Sequence, residues 1–320
     1  MYPAYCVTRL LHACDSRHCR VILRRGGEVS INIALPADYR REEVFNYFAR
    51  DPQQLSERVD AEGLRKAILL GGAPAVVSVR LCPGQAQVTV SGSDDAPHAL
   101  RSLVHHWLGL NQDVAGFESR FAGHPVLGLL IRRRPGLRIA QGASPFETLC
   151  WAVIGQLISV KAAVSIRARL IQLAGVPTPF GMLCHPGTAE VAALDEPTLR
   201  GVGLTRGKAL ALQSISRRIL GGEVKLDLAE GCEQPDILRE RLLAQKGIGP
   251  WTAEYVLLRG FASADCSLHG DVAVRRSLQQ QLGLAQRPTA NEAQAWLSEF
   301  APYRSMVAAH LWSALGDLQA

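Results

Sequence analysis

Two hydrophobic periods divide the chain. Between residues 29 and about 115, short runs such as "VSINIAL", "AVVSVRL" and "AQVTVSG" alternate apolar with polar positions, the two-residue period of a strand with one buried face. The intervening stretches "EEVFNYFARD" and "HALRSLVHHWLGL" space their apolar residues three and four apart, as amphipathic helices do. This pattern predicts a small α+β domain with an antiparallel sheet over 29–115. From 116 to 320 the helical period prevails, and an all-helical region is expected there. It opens on "SPFETLCWAVIGQLISVKAAVSIRARLIQLAG", where Ser144, Pro145 and Glu147 supply an N-cap, a first-turn proline and a capping-box acid. Further helices are expected over 195–200, 208–220, 235–245, 250–259, 271–282, 290–300 and 304–317. Residues 1–28 follow neither period, end near a Gly-Gly pair and read as an N-terminal extension without fixed structure.

Composition narrows the classes. With 320 residues, 48% of them hydrophobic, the chain can bury more than one core. A net charge of +6 favours a polyanionic partner. Arg200, Arg206, Lys208, Arg217 and Arg218 occur with no acid among them, as do Arg132, Arg133, Arg134 and Arg138, although a solvated helix face is the default reading of either run taken singly. The eight cysteines form no C-x-x-C pair or zinc-spaced cluster, so they read as reduced thiols. No apolar segment approaches the roughly 20 residues that span a bilayer. A cytoplasmic protein with no membrane partner is expected.

The most informative punctuation is "AQKGIGPWTAEY". A helix meets Gly247, where a left-handed backbone is cheap, and a new helix starts at Pro250, which lacks the amide hydrogen that position leaves unpaired. The outcome is a helix-hairpin-helix. The amides of Gly247, Ile248 and Gly249, at the positive end of the second helix, suit a phosphate oxygen, and a tight corner inside a helical bundle is the alternative reading. Thr252 in the first turn fits either a phosphate contact or a cap.

Together with the following residues, "GIGPWTAEYVLLRGFASADCSLHGDVAVRR" resembles the helix-hairpin-helix DNA glycosylases, and among them the DNA-3-methyladenine glycosylase II type. "WAVIGQLISVKAA" and "PYRSMVAAHLWSAL" resemble two further segments of that family, and the α+β domain is similar to its half-TATA-binding-protein domain. The resemblance implies that Asp271, closing the loop after the hairpin, is the catalytic carboxylate. It acts either by stabilising positive charge on the sugar or by orienting water. Asp271 is also placed to cap the next helix, and Arg275 and Arg276 beside it are expected to favour its ionised form. Trp251, Tyr255 and Trp312 are implied as the base pocket, with core packing an equal reading for Trp312. Gln156 and Leu157 are implied as a wedge that fills the gap left by a flipped base.

In relatives that also cut the backbone, a lysine occupies the hairpin position of Trp251 and forms a Schiff base. Its replacement here implies a monofunctional enzyme, and the resemblance implies alkylated bases such as 3-methyladenine and 7-methylguanine in double-stranded DNA as its substrates. The resemblance implies a monomer that needs no cofactor, and hairpin carbonyls able to hold a monovalent cation, sodium or potassium. His269-Gly270 departs from the family pattern, which often has proline two before the aspartate, and Gly270 is expected to loosen the carboxylate. A non-catalytic DNA-binding protein would use the same hairpin for phosphate contact. A nucleotide-binding reading of "GVGLTRG" fails on glycine spacing and on the lack of a preceding strand.

Overall fold

In the computed structural model, which describes residues 21–24, 28–92, 97–226, 228 and 234–316, the alternating segments form one antiparallel sheet. Its strands are β1 (Val21–Arg24), β2 (Glu28–Ala34), β3 (Glu57–Val59), β4 (Leu64–Leu70), β5 (Ala73–Cys82) and β6 (Gln85–Ser91). Helix α1 (Arg41–Phe48) follows β2, and α2 (Pro97–Trp107) follows β6. The strand order is β1-β2-β6-β5-β4-β3. Alternation does its expected work: Val29, Ile31 and Ile33 of β2 and Ala86, Val88 and Val90 of β6 share the face packed on Phe48, Leu100, Val104 and Trp107.

One expectation is corrected. Val21–Arg24, assigned to the extension, pairs with residues 28–31 as an edge strand, while residues 1–20 and 25–27 lie outside the described residues. Strands β3 and β4 carry no clean alternation because β3 is short and β4 is buried on both faces. Ala67 of β4 and Val76 of β5 pack against Met182 and Cys184, on or beside a small ribbon, β7 (Val176–Pro177) and β8 (Leu183–Cys184).

The remainder is helical: α3 (Val114–Phe121), α4 (Leu127–Arg133), α5 (Pro145–Gly155), α6 (Val160–Ala174), α7 (Thr188–Ala193), α8 (Glu196–Gly201), α9 (Arg206–Leu220), α10 (Pro235–Leu243), α11 (Pro250–Phe261), α12 (Val272–Gln281), α13 (Ala290–Ser298) and α14 (Arg304–Gly316). Helix α5 lies at the centre, with Leu149, Cys150, Ala152, Val153 and Ile154 all buried. The sheet core and the helical core interlock through residues 137–143. Leu137 and Ile139 belong to the helical core and Ala140 and Ala143 to the sheet core. The Trp107 indole donates to the Ala143 carbonyl at 3.2 Å, and Gly142 N donates to the Arg259 carbonyl at 2.7 Å.

A buried ion cluster completes the junction. Lys66 of β4 contacts Glu57 at 2.9 Å and Glu147 at 3.0 Å, while Arg167 of α6 contacts the same two carboxylates at 2.8 and 2.6 Å. Lys66 is 0% exposed and also donates to Ser56 Oγ. Burial opposes ionisation of Glu57 and Glu147, and the two adjacent cations overcome it, holding both well below the usual carboxylate range. Glu147 is therefore not the capping-box acid its spacing suggests. Ser144 caps the Glu147 amide at 3.1 Å, but the carboxylate turns away toward Lys66 and Arg167.

Candidate active site

Asp271 ends a loop that is tied down on two sides. Arg304 at the start of α14 grips Asp265 through contacts of 2.6 and 2.8 Å. The Ser267 amide donates to Glu254 of α11, itself held by Arg239, and the Cys266 amide donates to Ser305 Oγ. Asp271 then caps α12, accepting from Val274 N at 2.9 Å. A Cβ on Gly270 would meet only Trp251 Cβ at 4.0 Å, so packing does not demand glycine there. His269 is tied to Ser267 Oγ at 3.0 Å.

Two indoles complete the carboxylate's surroundings. Trp251, in the first turn of α11, donates Nε1–H to Asp271 Oδ2 at 2.7 Å, and Trp312 of α14 donates to Oδ1 at 3.2 Å. The Tyr255 ring stands one turn beyond Trp251, its centroid 5.3 Å from the Trp251 ring and 6.3 Å from that of Trp312. The structure thus brings together four residues from three segments, and Trp312 does more than pack. Every donor to Asp271 is neutral. Among the described residues no cation pairs with it: Arg275 instead reaches the Pro288 carbonyl at 3.4 Å and Arg276 points to solvent, which corrects the expectation of ionic support. Oδ1 accepts two hydrogen bonds and Oδ2 one, which leaves one lone pair on Oδ2.

The sheet domain contributes residues that the sequence did not announce. The guanidinium of Arg259, on α11, lies 4.9 Å from the Tyr47 ring centroid and 5.2 Å from that of Trp312. Arg50 stands 4.4 Å from the same Tyr47 centroid. These residues, with Arg138, border a hollow between α1, residues 137–140 and α14. Arg259 has no carboxylate partner among the described residues, and burial lowers its pKa from the ordinary arginine value. Tyr47 lies in a different domain from Trp312, so no local spacing could have paired them.

The hairpin between α10 and α11 has the glycine geometry expected. Gly247 adopts φ +90°, and a Cβ on it would press to 2.9 Å on Ala211 Cβ of α9, so both backbone and packing demand glycine there. Around Gly249 the space is open. The amides of Gly247 and Gly249 have no acceptor among the described residues and remain available to an anion. Two hairpin assignments change. The Ile248 amide donates back to the Gln245 carbonyl at 3.0 Å and its side chain is buried, so Ile248 anchors the hairpin without offering a donor. Thr252 is 2% exposed and its hydroxyl accepts from Gln156 Nε2 at 2.9 Å, which removes it from a phosphate-facing surface.

Gln156 and Leu157 part company. The Gln156 amide folds inward to the Gly247 carbonyl at 3.0 Å as well as to Thr252. A sodium or potassium ion on the hairpin carbonyls would have to share the Gly247 oxygen with that amide. Leu157 points the other way. Its φ of +57° costs about 1–2 kcal/mol for a residue with a Cβ, and its side chain is 104% exposed. Backbone strain and full apolar exposure thus coincide at this one residue. The helical segment predicted from 144 onward is broken here into α5 and α6, with Ser159 capping the second at 3.2 Å.

A sheet domain leading into helices, a glycine hairpin with free amides and a capped aspartate between indoles define a helix-hairpin-helix protein. Two family models match in chain order: the AlkA N-terminal domain over residues 30–144, and the HhH-GPD superfamily base excision DNA repair protein over residues 150–302. The chain belongs to the HhH-GPD superfamily, with an AlkA-type domain ahead of it. Its relatives include DNA-3-methyladenine glycosylase of Bacillus subtilis strain 168, 24% identical over 89% of this chain and 97% of that protein. DNA-3-methyladenine glycosylase 2 of Escherichia coli strain K12 is 31% identical over 60% of this chain and 65% of its own length. In fold, the chain is similar to the 3-methyladenine DNA glycosylase from Archaeoglobus fulgidus, with a TM-score of 0.75 at 22% identity, covering 88% of this chain and 96% of that one.

Proposed function

We propose that this protein is a monofunctional DNA glycosylase that hydrolyses the N-glycosidic bond of alkylated bases, such as 3-methyladenine and 7-methylguanine, in double-stranded DNA, as the first step of base excision repair. The observation that carries this reading is Asp271, an aspartate held by three neutral donors with its charge uncancelled and aromatic rings around it. As a base leaves, positive charge grows on the deoxyribose. A carboxylate about 4 Å away lowers that barrier by roughly 4 kcal/mol at an effective dielectric near 20. Oδ2, which keeps a free lone pair, faces the reacting sugar in this reading and can also accept a hydrogen bond from the incoming water.

The rings of Trp251, Tyr255, Trp312 and Tyr47 suit a flat, electron-poor base. Stacking and cation-π attraction there contribute roughly 0.5–2 kcal/mol. The base reaches them only by leaving the duplex, at a cost of a few kcal/mol. Leu157 inserts in its place, and burying one leucine between bases returns roughly 1.5–3 kcal/mol. The free amides of Gly247 and Gly249 grip a backbone phosphate and set the register.

Base removal is the end of the reaction in this reading. Trp251 offers no amine, and the nearby Lys208 spends its own on the Ile154 and Gln156 carbonyls at 2.8 and 2.7 Å. The protein works as a monomer on genomic DNA in the cytoplasm. Among the described residues no helix is long and apolar enough to cross a membrane.

The test is release of methylated bases from alkylated duplex DNA, with strand nicking measured alongside. Wild type should free the bases and leave intact abasic strands. No release by wild type would favour a non-catalytic DNA-binding protein, and nicked product trapped by borohydride would overturn the monofunctional assignment.

A further inference from the structure

We propose that Lys208 and Gln156 form a latch that holds the Leu157 turn in its strained conformation and joins it rigidly to the hairpin, so that gripping the DNA backbone and inserting the wedge become one event. The inference rests on the reading of Leu157 as the wedge. Leu157 makes no packing contact of its own that could impose a positive φ, because its side chain is wholly exposed. The constraint has to come from the residues that bracket it.

Both sides of residue 156 are pinned, from different parts of the fold. Helix α5 stops at Gly155; its Val153 and Gly155 carbonyls accept from Gln156 N and Ile158 N, and the Ile154 carbonyl is left for a partner outside the helix. The Lys208 ammonium, from the first turn of α9, donates to two oxygens there, Ile154 O at 2.8 Å and Gln156 O at 2.7 Å. These are charge-assisted bonds at a helix C-terminus, where a cation is also favoured by the helix dipole. Partial burial lowers the pKa of Lys208 from the ordinary lysine value. On the opposite side, the Gln156 side chain bonds the Gly247 carbonyl and the Thr252 hydroxyl, at the turn and in the first helical turn of the hairpin.

The main chain of residue 156 is thus fixed by α9 and its side chain by the hairpin. Leu157 follows immediately. A phosphate seated on the Gly247 and Gly249 amides therefore acts on the same rigid block that carries the wedge. Lys208 and Gln156 are positioning residues in this account, since neither needs to touch DNA.

The test compares wild type, Lys208→Met, Lys208→Arg and Gln156→Ala for affinity to a duplex holding a tetrahydrofuran abasic site and to the same duplex undamaged. Fluorescence of a 2-aminopurine beside the abasic site reports wedge insertion. Lys208→Met should weaken abasic-site binding by about tenfold, the scale of one lost charge-assisted bond. It should leave undamaged duplex within about twofold and lower the fluorescence change. Lys208→Arg, which keeps a cationic donor, should recover most of the preference. If Lys208→Met fails to fold, Gln156→Ala reads the same preference from the other pin.

Equal losses on both duplexes with a shallower salt dependence would make Lys208 an ordinary phosphate contact and overturn the latch. So would an unchanged preference in both Lys208→Met and Gln156→Ala. A wild type that shows no preference for abasic DNA would instead remove the glycosylase reading itself, an outcome that the variants are not needed to detect.

Discussion

Asp271 and Glu147 are both carboxylates drawn partly out of water, and their surroundings treat them in opposite ways. Glu147 and its companion Glu57 share Lys66 and Arg167, two acids against two bases, so the cluster is neutral. Asp271 accepts only from two indoles and an amide, so its charge stays whole. A cancelled charge can join domains but cannot stabilise a passing cation. An uncancelled one costs stability and is retained where something positive is to form beside it. The contrast divides a structural acid from a candidate catalytic one without reference to relatives.

Substitutions should separate the two roles. Asp271→Asn keeps most of the shape and should lower single-turnover excision about a thousandfold, the rate equivalent of roughly 4 kcal/mol. Its unfolding free energy should stay within about 1 kcal/mol of wild type, because the cap and indole contacts persist in part. Glu147→Gln should do the reverse. Breaking a buried, fully paired cluster costs about 3–5 kcal/mol in denaturant unfolding, with excision per folded molecule retained. Should Asp271→Asn unfold the protein while Glu147→Gln silences it, the contrast fails.

Acid titration sharpens the same comparison. Burial pushes His106, His185 and His310 down to about 4, so each stays neutral in the fold over a range where the unfolded chain binds a proton. Their contribution is fully present above about pH 6.5 and is lost as pH falls from there toward 4, at up to about 1.4 kcal/mol per pH unit for each histidine. Glu57 and Glu147 have lowered folded values, so their contribution is present above the unfolded carboxylate range near 4.3 and is lost only at more acid pH. Unfolding free energy should therefore be flat from pH 7 to 8 and fall below 6.5. A curve that is flat down to pH 4.5 would contradict the burial of these histidines.

The smallest expected effect belongs to Trp312→Phe, which keeps a ring and removes one donor to Oδ1. A loss of about 0.5–1.5 kcal/mol in transition-state stabilisation, or roughly twofold to tenfold in rate, is expected in single-turnover kinetics. An unchanged rate would reduce Trp312 to a packing residue.

What could be read along the chain was local. The hairpin, Trp251, Tyr255 and the Asp271 cap lie within 25 residues of one another, and glycine, proline and N-cap chemistry marks each of them. The ion cluster was hidden because Glu57, Lys66, Glu147 and Arg167 come from four separate elements. At Ser144 the S-x-x-E spacing fits a capping box as well as it fits an acid turned elsewhere. Tyr47 gave no signal, since Arg259, which meets its ring from the helical region, lies more than 200 residues away. Gln156 beside an exposed leucine read as part of the wedge, and only the fold shows its amide turned back to the hairpin.

The most direct measurement of the central claim is binding of duplexes that carry, at one position, either a protonated pyrrolidine or a neutral tetrahydrofuran in place of the sugar. The cationic ring mimics the charge of the departing base's sugar. Wild type should bind the pyrrolidine duplex the more tightly by one to three decades, roughly 1.4–4 kcal/mol, and Asp271→Asn should lose that preference. Equal affinity of wild type for the two duplexes, or a preference that survives in Asp271→Asn, would contradict the account.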